Sequence, residues 1–262
     1  MNELSHAFHQ QRSVGRIELS VDAQGLKHMR EEGSAKVRFP QASREAILIN
    51  TGGGLAGGDD FSFEIGVGAD AKLTVTTQAA ERVYRTLGPA AHVHTQLKAS
   101  DEASLFWLPQ ESILFDGSGL SRKLDVELAS TTRFIAVEPI LFGRPLSGEV
   151  VSQVAFRDCW RIRQNGKLIF ADGLHLDGPV PLSKATLNGA GAMATLICIA
   201  PDAESHLDAL RLAIGNCGAA SFWNGKLVAR LIATDGFTLR KSLIPALAVL
   251  AGADNLPKVW TF

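Results

Sequence analysis

The sequence lacks any long apolar run and any excess of one charge. No apolar stretch is long enough to cross a bilayer, and the amino-terminal segment Met1–Val14 is polar, without an apolar signal core. These absences argue against a membrane span and a secretory signal, so we expect a cytoplasmic protein. The 26 basic and 27 acidic residues leave a formal net charge of −1. This balance removes the broad electrostatic attraction that draws basic proteins to nucleic acids and anionic membranes.

Cysteine is also scarce. Cys159, Cys198 and Cys217 are widely spaced and form no CxxC pair. Their number and spacing argue against both a disulfide framework and a zinc site.

Apolar and polar residues alternate along most of the chain with the period of a half-buried β-strand. The clearest alternation covers residues 17–21, 61–67 and 124–128. Further strands are predicted over residues 46–50, 72–77, 93–97, 103–108, 134–137, 150–156, 167–170 and 193–199. No helical pattern separates these strands, so we predict a mainly β fold of solenoid-like or sandwich architecture.

Two α-helices are predicted in the C-terminal half. The first opens at Pro201 and Asp202, carries Leu207, Leu210 and Ile214 at helical spacing and stops at Gly215. The second covers residues 235–250 with leucines along one stripe. No low-complexity linker or convincing internal repeat interrupts the chain. We therefore predict a single domain over residues 1–262.

A glycine-rich segment, TGGGLAGGD, carries glycines at the spacing of a dinucleotide-binding fingerprint. That fingerprint requires a helix after the glycines, whereas residues 61–67 alternate as a strand, and no phosphate-binding lysine follows. We interpret the segment as a structural turn with a close approach of the backbone. Its residues of interest are Gly52, Gly53, Gly54, Gly57, Gly58 and Asp59.

Two histidines form a weak candidate metal site. His92 and His94 lie on one face of a predicted strand, near enough to share a metal ion. No third ligand is apparent, and a stable site needs more than two. Two solvated histidines on an exposed face are therefore the favoured interpretation.

Five acidic residues lie in segments that should be buried. A buried carboxylate must be paired, hydrated or bound to a cation. Arg82, Arg85 and Arg144 are the expected salt-bridge partners. Structural pairing and a metal-related role both stay open for each acid. The five are Glu81, Glu111, Asp116, Glu138 and Glu149.

Five segments occur in a characteristic order: Thr51–Asp59, Thr76–Arg85, Trp107–Phe115, Phe142–Glu149 and Leu256–Trp260. Together they resemble the UreD/UreH family of urease accessory proteins. Besides the glycine-rich segment, the motif positions are Arg85, Trp107, Pro109, Arg144 and Trp260. Two departures exist: Arg82 replaces the family's usual lysine, and Ile49–Thr51 replaces the more usual His-Pro-Pro.

The resemblance implies a mainly β, solenoid-like fold and a non-enzymatic chaperone required for nickel insertion into apo-urease. It also implies binding to apo-urease, to UreF and, through UreF, to the GTPase UreG. No cofactor would be tightly bound, and nickel would pass in transit through an internal route. Weak oxygen and imidazole ligands suit such a route. The five acids are therefore candidate route residues, with His92 and His94 as weaker candidates.

Two alternatives stay open. A β-solenoid or sandwich enzyme acting on carbohydrate would use two of the acids as acid and base, from Glu111, Asp116, Glu138 and Glu149. Against it, aromatic residues make up only 7% of the chain, with a single tyrosine. A purely structural subunit would pair the same acids and carry no metal.

Overall fold

The fold is mainly β, with two α-helices in the C-terminal half. A computed structural model describes residues 12–40, 44–144 and 147–260. Most of the polar segment Met1–Val14, and Pro145 and Leu146 of the segment Phe142–Glu149, lie outside these residues. The elements are β1 (Val14–Asp22), β2 (Gly25–Gly33), β3 (Ala35–Arg38), β4 (Glu45–Asn50), β5 (Asp60–Val67), β6 (Lys72–Thr77), β7 (Glu81–Val83), β8 (Ala91–Ala99), β9 (Ser104–Trp107), β10 (Ser112–Leu114), β11 (Ser118–Leu128), β12 (Arg133–Phe142), β13 (Val154–Gln164), β14 (Lys167–Gly178), β15 (Ala192–Ile199), α1 (Leu207–Ile214), β16 (Gly218–Trp223), β17 (Lys226–Ala233) and α2 (Gly236–Ala251).

The strands form two sheets, and a short strip branches from the second of them. Sheet A has the order β14-β13-β11-β8-β5-β1-β2, and sheet B has the order β16-β17-β15-β12-β9-β6-β4-β3. Within sheet A, β1, β5, β8, β11 and β13 run parallel. Within sheet B, β4, β6, β9 and β12 run parallel. The strip consists of β7, β10 and the end of β12, again parallel.

Successive coils of the chain stack on one another. From β5 the chain crosses to β6 in sheet B, passes through β7 and returns to sheet A as β8, and the next coil repeats this path through β9 and β10 to β11. Asp60, His92 and Ser121 occupy equivalent positions in three coils. The arrangement is solenoid-like, which decides between the two predicted architectures. The structure thus contains a repeat that the sequence did not reveal, because the coils share a register but not a residue pattern.

Two hydrophobic clusters hold these layers together. One fills the interior between the sheets and includes Ile17, Leu105, Leu124 and Phe156. The other lies where α1 and α2 pack on sheet B, and includes Ile135, Leu196, Leu239 and Leu243. Among the described residues, no helix is long and apolar enough to cross a membrane.

Most element predictions are confirmed, although several strands are longer than predicted and α1 begins only at Leu207. Two further differences in bounds have a visible cause. The strand predicted over 150–156 begins only at Val154, because the amides of Ser152 and Gln153 donate to Asp116 Oδ1 instead. The strand predicted over 167–170 continues to Gly178, paired with β13. The single-domain organisation stays a prediction.

Candidate functional site: a cavity inside the solenoid

A cavity of about 300 Å³ lies in the solenoid interior. Its deep wall is buried and combines apolar residues with two charged ones. The wall includes Phe61, Trp107, Leu120, Arg122 and Glu138. Its mouth is lined by exposed residues, which are Gly53 of one loop, Gln78 and Ala79 of another, and Arg82 of β7.

The first half of the glycine-rich segment forms one side of the mouth. The Tyr84 hydroxyl donates to Gly53 O at 3.0 Å. Gly54 has φ 146°, and a Cβ there would lie 2.4 Å from Tyr84 Cε2. The amide of Gly52 donates to Asn50 Oδ1 at 2.8 Å. Only glycine at position 54 allows the loop to lie this close to the tyrosine ring.

The second half of the segment is held by a buried carboxylate. Asp59 Oδ1 accepts from the amide of Ser13, and Oδ2 accepts from the amide of Ala56, both at 2.8 Å. Gly57 packs against Thr86, where a Cβ would lie 1.9 Å from Oγ1. Gly58 follows with φ 83°. Strand β5 then begins at Asp60, so the helix required by a dinucleotide site is absent from this described segment.

Glu81 lies in the cavity wall, at the start of β7. Its Oε1 accepts from Asn50 Nδ2 at 3.2 Å, and its amide donates to Glu111 O at 2.8 Å. It forms no ion pair with any residue that the structure describes. Burial raises the pKa of Glu81 to about 7; the hydrogen bond from Asn50 opposes this shift and the charge of Asp59 adds to it.

Glu138 lies deeper in the same wall, inside a buried network. Its Oε1 accepts from Trp107 Nε1 at 2.8 Å, and its Oε2 pairs with Arg122 Nη1. The guanidinium of Arg122 also grips Asp158, with Nε to Oδ1 at 3.2 Å and Nη2 to Oδ2 at 2.7 Å. Burial raises the pKa of Glu138 to about 7, although Arg122 opposes that shift. Burial by itself lowers the pKa of Arg122, but the two acids more than offset it.

Glu111 is buried outside the cavity lining and joins helix α2 to the strip. Its Oε1 lies 2.6 Å from Arg240 Nε, and Arg240 also donates to Gln110. The same guanidinium lies 5.1 Å from the ring centroid of Trp260, whose Nε1 donates to Leu108 O at 2.9 Å. Glu111 is therefore an anchor for α2 and Trp260. Between Leu108 and Glu111, Pro109 and Gln110 line the cavity.

Asp116 and Glu149 are half-buried and lie outside the cavity lining as well. Hydrogen bonds from Ser152 lower the pKa of Asp116, and the nearby charge of Arg85 acts in the same direction. Glu149 Oε2 lies 3.0 Å from Arg144 Nε. Burial acts to raise the pKa of Glu149, but the hydrogen bonds from Arg144 outweigh it and the pKa is lowered. Both acids therefore stabilise the loop before β13.

The two histidines lie on the outer face of sheet A, away from the cavity. His92 is exposed, and His94 Nε2 lies 2.8 Å from Asp125 Oδ2. In residues 12–40, 44–144 and 147–260, no group of three or more His, Cys, Asp or Glu residues is placed to hold a metal ion.

The expected salt-bridge partners need correction. Arg144 pairs with Glu149 as predicted, but Arg82 forms no ion pair within the described part of the chain, and Arg85 forms none there either. Sequence reasoning missed Arg122 and Arg240, which hold the two buried acids. A signal for Arg122 was available, because the alternation of residues 124–128, extended back to 122, places this arginine on the apolar face.

A sequence profile of the UreD urease accessory protein family matches residues 13–261. The chain belongs to the UreD family. Three relatives named urease accessory protein UreD illustrate the similarity. The protein of Rhizobium leguminosarum bv. viciae is 45% identical over 271 residues, covering 99% of each chain. That of Rhizobium rhizogenes is 46% identical over 261 residues, covering 95% of this chain and 96% of the relative. That of Agrobacterium fabrum is 44% identical over 261 residues, covering 96% and 92%.

Membership in the UreD family connects the chain with urease maturation. The family consists of accessory proteins, which agrees with the predicted non-enzymatic role. It gives no support to the alternative of a carbohydrate-active enzyme.

Proposed function

We propose that the chain is a maturation chaperone required for nickel insertion into apo-urease. It would act in the cytoplasm as a scaffold that binds apo-urease and UreF and, through UreF, the GTPase UreG. Its place in the UreD family supports this proposal. The role requires no tightly bound cofactor, since nickel is cargo.

The cavity is our candidate for the nickel passage. One observation supports it most: Glu81 lies in the cavity wall near the open mouth and forms no ion pair with the described residues. Glu138, the other acid in the wall, forms an ion pair with Arg122. A single carboxylate binds a divalent cation weakly, as a passage requires. We assign structural pairing to Glu111, Asp116, Glu138 and Glu149.

The test is urease activation with Glu81→Gln in place of the wild-type chain. We expect urease with about two- to fivefold less nickel, because loss of one weak site impairs a passage only in part. Co-purification of urease, UreF and UreG should match the wild type, and the melting temperature of the variant should be no lower than that of the wild type. The matched control is Glu64→Gln, an exposed acid on the outer face of sheet A, which should leave the nickel content unchanged.

Two outcomes would overturn the proposal. Fully nickel-loaded urease with Glu81→Gln would remove Glu81 from the passage. A loss of nickel that parallels a loss of assembly would reduce Glu81 to a structural residue.

A further inference from the structure

Asn50 connects the glycine loop to Glu81. Its Nδ2 donates to Gly54 O at 2.9 Å and to Glu81 Oε1 at 3.2 Å, while its Oδ1 accepts from the amide of Gly52 at 2.8 Å. No other side chain that the structure describes hydrogen-bonds to the Glu81 carboxylate. A neutral amide thus occupies the position from which a second polar group would reach a cation bound at Glu81.

We propose that Asn50 sets the affinity of the cavity mouth for a divalent cation by keeping the mouth at one carboxylate. This inference rests on the proposed nickel passage. Asn50 positions the Glu81 carboxylate through a hydrogen bond and adds no negative charge beside it. The mouth therefore holds a cation briefly and releases it towards the interior.

The charges around Glu81 support this assignment. Asp59 is held by two backbone amides, and Glu138 is paired with Arg122. Arg82, exposed at the mouth, adds positive charge on the solvent side. Among the described residues that line the cavity, Glu81 is then the one acid left without a cationic partner.

The number of charged ligands explains why an amide suits this position. The affinity of an oxygen site for a divalent cation rises steeply with the number of charged ligands. Two adjacent carboxylates would retain the ion, whereas transport requires binding that is weak enough to reverse. An amide of the same shape as aspartate keeps the geometry and avoids the second charge.

The test replaces Asn50 by aspartate in the full chain. Equilibrium dialysis with Ni²⁺ and the visible absorption of bound Co²⁺ report affinity and ligand environment. For Asn50→Asp we expect about tenfold or tighter Ni²⁺ binding together with slower activation of urease by the assembled complex. Asn50→His, which keeps a ring N–H donor, is a second variant if the aspartate disturbs the glycine loop. It should also tighten Ni²⁺ binding.

Two controls separate a local effect from a general one. Gln78→Glu adds a negative charge at the same mouth, from a side chain that makes no hydrogen bond with the described residues. It should tighten Ni²⁺ binding by about twofold or less, because the charge is exposed and screened. The double variant Glu81→Gln with Asn50→Asp restores a single carboxylate and should return the affinity to about the wild-type value.

The outcomes distinguish this inference from the proposed function. If Glu81→Gln binds Ni²⁺ as well as the wild type does, the mouth is not a cation site and both ideas fail. If Glu81→Gln loses binding but neither Asn50 variant tightens it, the passage stands and the role of Asn50 is wrong. Equal tightening by Gln78→Glu and Asn50→Asp, or tight binding with unchanged activation, would also overturn the role of Asn50.

Discussion

Two acids in one cavity wall, Glu81 and Glu138, differ in every contact that matters. Glu138 is buried among Trp107, Arg122 and, through Arg122, Asp158. Glu81, near the mouth, has a single side-chain partner among the described residues, the amide of Asn50. Burial raises the pKa of both to about 7. The partner of an acid, more than its burial, therefore decides whether the acid supports the fold or stays free for a ligand.

The largest loss of stability should come from removing Arg122, the cation that pairs with the deeper acid, Glu138. Arg122→Met leaves Glu138 and Asp158 buried without a counter-charge, and should lower the free energy of unfolding by about 3 to 5 kcal/mol. Urea denaturation at neutral pH measures it. Arg82→Met, at the exposed mouth, is the control and should change stability by no more than about 0.5 kcal/mol. If Arg122→Met and Arg82→Met lower the free energy of unfolding by similar amounts, the buried wall does not depend on its ion pairs more than the exposed mouth does.

A smaller loss of stability should follow from adding a side chain to the glycine loop at the cavity mouth. In Gly54→Ala, the new Cβ would meet Tyr84 Cε2 at 2.4 Å in a backbone conformation with φ 146°. We expect a loss of about 1 to 3 kcal/mol, read from thermal unfolding. Gly88→Ala is the matched control, because its backbone is unstrained and its nearest neighbour lies 3.9 Å away. If Gly54→Ala has the same melting temperature as Gly88→Ala, the loop moves aside for the new methyl group at little cost.

The smallest effect concerns the pH dependence of Glu81. Because its pKa is about 7 in the folded chain, above the ordinary value of 4.5, the folded state binds this proton more tightly than the unfolded state. The resulting stabilisation is present below pH 4.5 and is lost as the pH rises towards 7. Glu81→Gln should lack this loss and be more stable than the wild type by about 1 kcal/mol at pH 8, after allowance for its partial exposure. Denaturation curves at pH 5 and pH 8, with Glu64→Gln as control, measure the difference. If the free energy of unfolding changes between pH 5 and pH 8 by the same amount in the wild type and in Glu81→Gln, the pKa of Glu81 is not raised.

Strands that bury only one face were predictable from the sequence, because apolar and polar residues alternate along them. Strands that form because they pair with neighbouring strands were not predictable. Residues 17–21 alternate clearly, so β1 was predictable. Strand β17 is almost wholly buried and shows no alternation, while β2 is mostly exposed and exists because it pairs with β1. The strands β7 and β10 are three residues long and depend on stacking between coils.

The candidate site was likewise predictable only in part. The five acids were recognisable from their apolar surroundings, but their partners were not. Arg240 meets Glu111 across 129 positions, and Asn50 meets Glu81 across 31. Such contacts depend on how coils and helix stack, which no local pattern records. Only Arg122 left a trace, as a charge on an apolar strand face.

Glu111 has a mechanical consequence for the whole molecule. Arg240 of α2 grips its side chain, while its carbonyl oxygen holds the amide of Glu81. The helix and the rim of the cavity therefore share one stiff connection. A force that shifts α2 against sheet B must either break the grip on Glu111 or pull the Glu81 backbone with it.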